Sequence, residues 1–188
     1  MINVIAKFIT LFIPIKKFRR IARKRIITGY YAHGIYSRAK SVGKGFVCGG
    51  KSTATKNTII GNHVRFSGVS LNGSGNITIS DYCVLGKDVL IMTDNHNYDT
   101  GTLLPFSDDI IISKDVFIDK YVWCGSRVTI LPGTKIGEGA VIQAGAVVHG
   151  EIPPCTIVGG NPAKVFKYRD MEHYNKLKNE GKFLTEEF

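Results

Sequence analysis

The chain has 188 residues, of which 44% are hydrophobic, with 21 glycines and a formal net charge of +10. That length suits one compact domain with small additions at either end, and the apolar content is enough for a core. Four cysteines, at 48, 83, 124 and 155, form no CxxC pair and no metal-type cluster. This excludes a cysteine-built metal site and, with no cleavable secretory signal of the usual layout, points to a reduced, cytoplasmic setting.

The charge is regional. No Asp or Glu precedes Asp81, while the same stretch carries fourteen Lys and Arg; from Asp81 onward eleven basic residues face fifteen acidic ones. A cationic half of this kind can draw in membranes, nucleic acid or an anionic substrate. Three segments are expected: 1–41, basic and amphipathic; 42–165, a repeat domain with an excursion loop at 94–111; and 166–188, a helix and tail.

The first segment opens with an apolar run, Ile2 to Ile15, interrupted by Lys7 and Pro14. A spanning helix needs about 20 apolar residues, so the run is too short to cross a bilayer. Ile15, Phe18, Ala22 and Ile26 then recur at helical spacing, with Lys16, Lys17, Arg20, Arg23 and Lys24 on the opposite face. Two readings stand side by side. One is a basic helix lying in a membrane interface beside anionic lipid; the other is a terminal helix that caps the fold.

The second segment has a period of six. Positions 112, 118, 124, 130, 136, 142 and 148 are Ile, Ile, Cys, Ile, Ile, Ile and Val. Four residues after each come Val116, Val122, Val128, Thr134, Ala140, Ala146 and Ile152. Upstream the pattern returns at Ile79, Leu85 and Ile91, with Cys83, Val89 and Asn95 at the second position, and more loosely at Ile60 and Val64. An amphipathic strand alternates every two residues and a helix repeats every 3.6. A strict six means a short strand and a corner, taken again and again, with aliphatic residues stacked inside. Gly125, Gly137, Gly139 and Pro132-Gly133 are expected to supply the corner conformations. Three hexads per coil would close a triangular prism whose coils lie about 4.8 Å apart. Cys83 and Cys124 fall on inward positions and read as core. The crossover rule for parallel strands predicts a right-handed path.

After Ile91 the register breaks over MTDNHNYDTGTLLPFSDD. An insertion here cannot continue the prism wall and should project from it, as functional loops on rigid scaffolds do. His96 lies at its start, between Asp94 and Asp99. An imidazole, with an unperturbed pKa of about 6.5, suits a general base, although a loop histidine is as a rule an ordinary surface residue. His33, His63, His149 and His173 are less favourably placed. In the third segment IVGGNPAKV reads as a loop, and RDMEHYNKLKNEG as a short surface helix ending near Gly181.

Hexads of the form Ile-Gly-x-x-Val-x resemble those of the hexapeptide-repeat acyltransferases. Val122 through Gly133, Gly137 through Val148, and Ile152-Pro153-Pro154 with Val158 through Val165 sharpen the likeness. Together they look like the acetyl-CoA-dependent O-acetyltransferase branch, with the galactoside and maltose acetyltransferases and the enzymes that decorate bacterial surface polysaccharides. The likeness covers about Val42 to Arg169. It implies an all-β fold, a left-handed parallel β-helix with short terminal helices, in place of the right-handed path. It also implies a homotrimer with each active site in a groove between neighbouring prisms.

The resemblance makes His96 the catalytic base, which takes the proton of an acceptor hydroxyl as that hydroxyl attacks the thioester directly. Asp94, Asp99 or a backbone carbonyl would orient the ring, and the N–H of Gly125 or Ser126 would meet the oxyanion. Ser126 and Ala144 match family positions on the pantetheine arm, and Lys164 and Lys167 match those on the nucleotide phosphates. Small residues at 144 to 146, Gly145 among them, let a thin arm approach the backbone. Lysine stands where relatives often carry arginine, so bidentate contact is lost and weaker CoA binding is expected. Trp123 is outward, walling the cofactor or acceptor groove or packing between subunits.

Acetyl-CoA is then the co-substrate, with no metal. The expected acceptor is a saccharide, favoured as a lipid-linked surface-polysaccharide precursor (capsule or O-antigen) met at the cytoplasmic face of the inner membrane. N-acetylation of an amino sugar and a non-enzymatic β-helix binding membrane or polyanion are the alternatives. A metal-dependent hydratase would need converging histidines that the spacing does not offer. Nucleic-acid binding is not expected, because no aromatic platform accompanies the charge.

Overall fold

A computed structural model of the chain describes residues 1–185 apart from Phe12, Pro14 and Ile15, and leaves undescribed the side chains of Lys17 and residues 107–109. The expected Pro14 interruption, the place of Ile15 on an apolar face and that of the Lys17 charge therefore lie outside the described residues.

The hexads fold as strands of two to five residues that stack into three parallel sheets, one per prism side. The first holds Ser41–Val42, Thr58–Ile60, Ile77–Ile79, Val116–Ile118, Lys135–Ile136 and Glu151–Ile152. The second holds Val47–Cys48, Arg65–Phe66, Val84–Leu85, Trp123–Cys124, Val141–Ile142 and Thr156–Gly160, with Ala163–Tyr168 added antiparallel at its edge. The third holds Val69–Asn72, Val89–Met92, Thr129–Ile130 and Val147–Val148. Equivalent hexad positions pair from coil to coil: Ile118 lies between Ile79 and Ile136, Cys124 between Leu85 and Ile142, and Ile130 between Ile91 and Val148.

Both inward positions of each hexad are buried from Val116 to Ile152, and the core continues to Val158. Three expectations need correcting. Ile112 does not restore the inward register: it is 39% exposed and pairs with Asn95, itself exposed, in a hairpin outside the prism. IVGGNPAKV is no loop but the heart of an antiparallel pair, Thr156–Gly160 with Ala163–Tyr168, because the last coil has a free edge for the returning chain. Gly125 and Gly137 are not left-handed corners. A Cβ on Gly125 would stand 2.6 Å from the Ala144 nitrogen, and one on Gly137 2.7 Å from that of Pro154, so their role is close approach between coils. Gly133 and Gly139 do have positive φ, 82° and 70°.

At one prism corner non-glycine residues take the left-handed conformation: His63, Tyr82 and Tyr121, at φ 55°, 60° and 60°. Their rings stack coil over coil, His63 on Tyr82 with centroids 5.1 Å apart and Tyr82 on Tyr121 at 5.5 Å. Phe183 packs against both tyrosines. The next corner is Gly139, and Tyr174 fills the space its missing Cβ leaves. Tyr174 belongs to the C-terminal helix, Met171–Asn179, capped by Asp170 and extending to the expected region near Gly181.

The helix is tied down by Glu138, which accepts hydrogen bonds from the Tyr174 hydroxyl (2.9 Å) and the Lys178 ammonium (2.6 Å). Burial pushes the Glu138 carboxyl up, but the bonds from Lys178 and Tyr174 outweigh it and hold it below its ordinary value. A carboxyl lower in the folded than in the unfolded chain contributes stability that is full above the ordinary value of 4.5 and lost as pH falls through the folded value. Glu138→Gln should therefore lose less urea resistance than the native chain on acidification from neutral pH into that range. Parallel unfolding midpoints across the pH series would remove this role.

Two helices precede the prism, α1 at Ile2–Ile9 and α2 at Lys16–Tyr36, the second running ten residues past Ile26, where the expected amphipathic stretch ends. The end of α2 caps the prism. Ala32 and Ile35 are buried in the core cluster with Phe46, closing the first coil against water. Among the described residues, no helix is long and apolar enough to cross a membrane.

Candidate active site

The excursion is a hairpin, Asp94–Asn97 paired antiparallel with Ser107–Ser113, and it leaves the third sheet directly after Val89–Met92. His96 sits opposite Ile111 on its exposed face. The imidazole stacks on Phe106, with centroids 3.9 Å apart and planes 19° from parallel, which limits its rotation while leaving it open to solvent.

The two carboxylates flanking His96 have different settings. Asp94 accepts bonds from the Ser74 amide (2.8 Å) and hydroxyl (3.1 Å) and from the Thr93 hydroxyl (3.0 Å). Burial works to raise its carboxyl, but bonds from Ser113, Thr93 and Ser74 hold it below the ordinary range. Asp94 thus anchors the hairpin to the coil beneath. Asp99 lies exposed on the bend beyond. The loop is also pinned by Asn97, 5% exposed, whose carbonyl oxygen accepts from the Thr100 hydroxyl at 3.0 Å. Phe106, Ser74 and Asn97 escaped the sequence reading. The Asn97–Thr100 spacing was a local signal for a side-chain-closed turn; nothing in the sequence pointed to Ser74, twenty residues upstream of its partner.

Gly125, Ser126, Ala144 and Gly145 converge at the corner between the second and third sheets. A Cβ on Gly86 would stand 2.7 Å from the Ser126 nitrogen, and one on Gly125 would strike Ala144, so three coils meet backbone to backbone. The Ser126 hydroxyl accepts from the Lys87 amide at 3.3 Å, and the Gly145 amide donates to the Ser126 carbonyl at 2.9 Å. The Gly125 amide donates to the Ile142 carbonyl at 2.8 Å. Of the two amides expected at an oxyanion, that of Ser126 remains the candidate.

Trp123 begins a row across the outer face of the second sheet. It pairs with Val141, Val141 with Ile157, and Ile157 with Lys167. Three strand steps of about 4.8 Å place the indole and the ammonium stems roughly 14 Å apart. Lys164 pairs with Gly159 on the same returning strand, and Lys164, Lys167 and Trp123 are all exposed. A ribbon with an aromatic at one end, aliphatics between and cations at the other suits a thin molecule ending in phosphates.

Burial pushes the Cys83 thiol up to about 12 and raises that of Cys124 as well, so neither offers a thiolate nucleophile near neutral pH. Among the described residues, no group of three or more His, Cys, Asp or Glu is placed to hold a metal ion.

Comparison with known proteins gives a consistent picture. Residues 109–150 match the model of the bacterial transferase hexapeptide, six repeats. The chain is similar to a chloramphenicol acetyltransferase of Escherichia coli, 38% identical over 111 residues, spanning 51% of this chain and 53% of that protein. It is also similar to the putative lipopolysaccharide biosynthesis O-acetyl transferase WbbJ of Escherichia coli K12, 34% identical over 124 residues, spanning 55% of this chain and 62% of that one. The matches thus span little more than half the length of these relatives. Among solved structures, the hexapeptide-repeat containing acetyltransferase VCA0836 of Vibrio cholerae is 25% identical, with a TM-score of 0.59 over 88% of both chains. That likeness carries the left hand of the coil and overturns the right-handed path of the general crossover rule.

Proposed function

We propose that this chain is a hexapeptide-repeat acyltransferase that moves the acetyl group of acetyl-CoA directly onto a hydroxyl of a saccharide. The observation that carries the reading is the excursion between Val89–Met92 and Val116–Ile118, where the chain leaves the prism. It sets an accessible imidazole, braced by Phe106, on a hairpin anchored through Asp94. The matched residues 109–150 begin in the hairpin's second strand and run on through the coils that follow it.

In the proposed reaction the acceptor hydroxyl oxygen attacks the thioester carbon while His96 takes its proton. The Ser126 amide meets the developing oxyanion. The carbon–sulfur bond then breaks, and the CoA thiolate leaves and is reprotonated. CoA itself would lie along the outer row, its pantetheine arm against Ala144 and Gly145 and its phosphates toward Lys164 and Lys167.

Assembly as a homotrimer accords with the hairpin's apolar surface: Leu103, Leu104, Ile110 and Ile111 are 61%, 94%, 57% and 45% exposed in the single chain. The likeness to a lipopolysaccharide O-acetyl transferase and the cationic start favour a lipid-linked saccharide at the cytoplasmic face of the inner membrane as acceptor.

The test is CoA release from acetyl-CoA across an acceptor panel of neutral sugars, amino sugars, lipid-linked oligosaccharides and chloramphenicol. Acceptor-dependent release with a hydroxyl-bearing saccharide is the expected result. Release only with an amino sugar makes the enzyme an N-acetyltransferase, and none with any acceptor overturns the transferase reading.

A further inference from the structure

The first helix has the reverse of an ordinary surface helix's burial. Its buried positions are small: Ala6, and just past the helix end Thr10, whose hydroxyl bonds back to the Ala6 carbonyl at 2.7 Å. Large apolar side chains on the helix and at its two ends face solvent, with Met1 93%, Val4 69%, Phe8 69% and Leu11 54% exposed. Positions 1, 4, 8 and 11 fall on one helical stripe, so these exposures form a continuous patch. A patch of that kind marks a contact surface.

Beside it, Lys16, Arg19, Arg20 and Arg23 line an open cleft of about 640 Å³ at the start of α2. Arg19 donates to the Ile13 carbonyl at 2.8 Å, which holds it at the bend between the helices. Arg23 Nε is buried with no hydrogen-bond partner. A buried guanidinium nitrogen without an acceptor is destabilising, and no carboxylate precedes Asp81 in the chain to supply one locally. The missing acceptor fits a ligand with several anionic oxygens, for which the planar guanidinium is well suited. A second cleft of about 790 Å³ runs along α2 past Arg20 and Lys24 toward Arg65 and extends the cationic face.

We propose that α1 and the first turns of α2 form a lipid dock. The apolar stripe of α1 enters the boundary between headgroups and acyl chains of an anionic bilayer, while Lys16, Arg19, Arg20 and Arg23 hold lipid phosphates. Stable peripheral anchoring takes two signals, an inserted apolar element and a basic one, and here they lie on adjacent helices. The inserting element is taken as α1, and Phe18 of the α2 face that the helical spacing of the sequence suggested is also exposed, at 59%. Phosphate held by a bilayer accounts for both features, whereas a soluble phosphate compound would leave the stripe uncovered. The dock deepens the reading of a membrane-borne acceptor, yet its test contains no acetyl-CoA, so either idea can fail alone.

Co-sedimentation of the full chain with vesicles decides it. Vesicles of phosphatidylcholine with about one-third phosphatidylglycerol should bind at least about tenfold more protein than phosphatidylcholine alone. The V4E/F8E pair should lower binding about tenfold, and R20Q/R23Q should do the same while weakening the dependence on salt. Circular dichroism and oligomer mass should stay as in the native chain, which separates lost docking from lost fold. Equal binding by native and V4E/F8E chains, or no preference for the anionic vesicle, overturns the proposal. A change of oligomer mass in V4E/F8E also overturns it, since the stripe would then belong to a second copy.

Discussion

Replacing His96 with Ala is expected to lower acetyl transfer by about 100- to 10,000-fold, the range a positioned general base contributes. The ring touches none of the core. It is exposed and rests on Phe106, so its removal opens no cavity and leaves the hairpin ladder and the Asp94 anchor in place. The unfolding midpoint and oligomer mass should therefore match those of the native chain. The loss should appear in kcat, with the KM for acetyl-CoA little altered, because the row from Trp123 to Lys167 is built on a different prism face. Asp94→Ala should behave otherwise. It frees the Ser74 amide and hydroxyl and loosens the whole hairpin, so activity and thermal stability should fall together. A His96→Ala enzyme within about tenfold of native turnover would remove the imidazole from the proton-transfer step.

These contrasts follow from what could and could not be seen in the chain as letters. A period of six is a local property, and each inward position from Val116 to Ile152 is buried as the repeat demanded. The interruption was legible for the same reason, as a place where the period stops. How the interruption folds was not. Asp94 and His96 stand two residues apart, and only the coil below shows that the first belongs to Ser74. Ile112 satisfied the arithmetic of the repeat yet lies outside the prism, since the hairpin claims its backbone before the next coil begins. Glycines were legible as exceptions but not as to kind. At Gly125 the missing Cβ makes room for Ala144, while left-handed corners fall to Tyr82 and Tyr121, whose rings then stack and receive Phe183 from the far end of the chain. No pattern within a hexad announces a contact made with the last turn of sequence.

Ile130→Ala is expected to destabilise the chain by about 2–5 kcal/mol, the range for truncating a buried aliphatic side chain, and to fall in the upper half of it. Its side chain is 0% exposed and lies between Ile91 of the coil before and Val148 of the coil after. In a stacked solenoid each coil is held mainly by its neighbours, so this truncation weakens two interfaces at once. Ile152 sits in the last strand of the first sheet, with Ile136 on one side only and 7% exposure. Ile152→Ala should therefore cost toward the lower end of the range, and Ile130→Val only about 0.5–1.5 kcal/mol. Trp123, 54% exposed and adjacent along the coil, gives the complementary case. Trp123→Ala should stay within about 0.5 kcal/mol of native stability while raising the KM for acetyl-CoA several-fold. Denaturant titrations at one fixed protein concentration, which keeps any subunit association constant, would rank the four variants. If Ile152→Ala proved costlier than Ile130→Ala, coil-to-coil stacking would not be what holds the prism together.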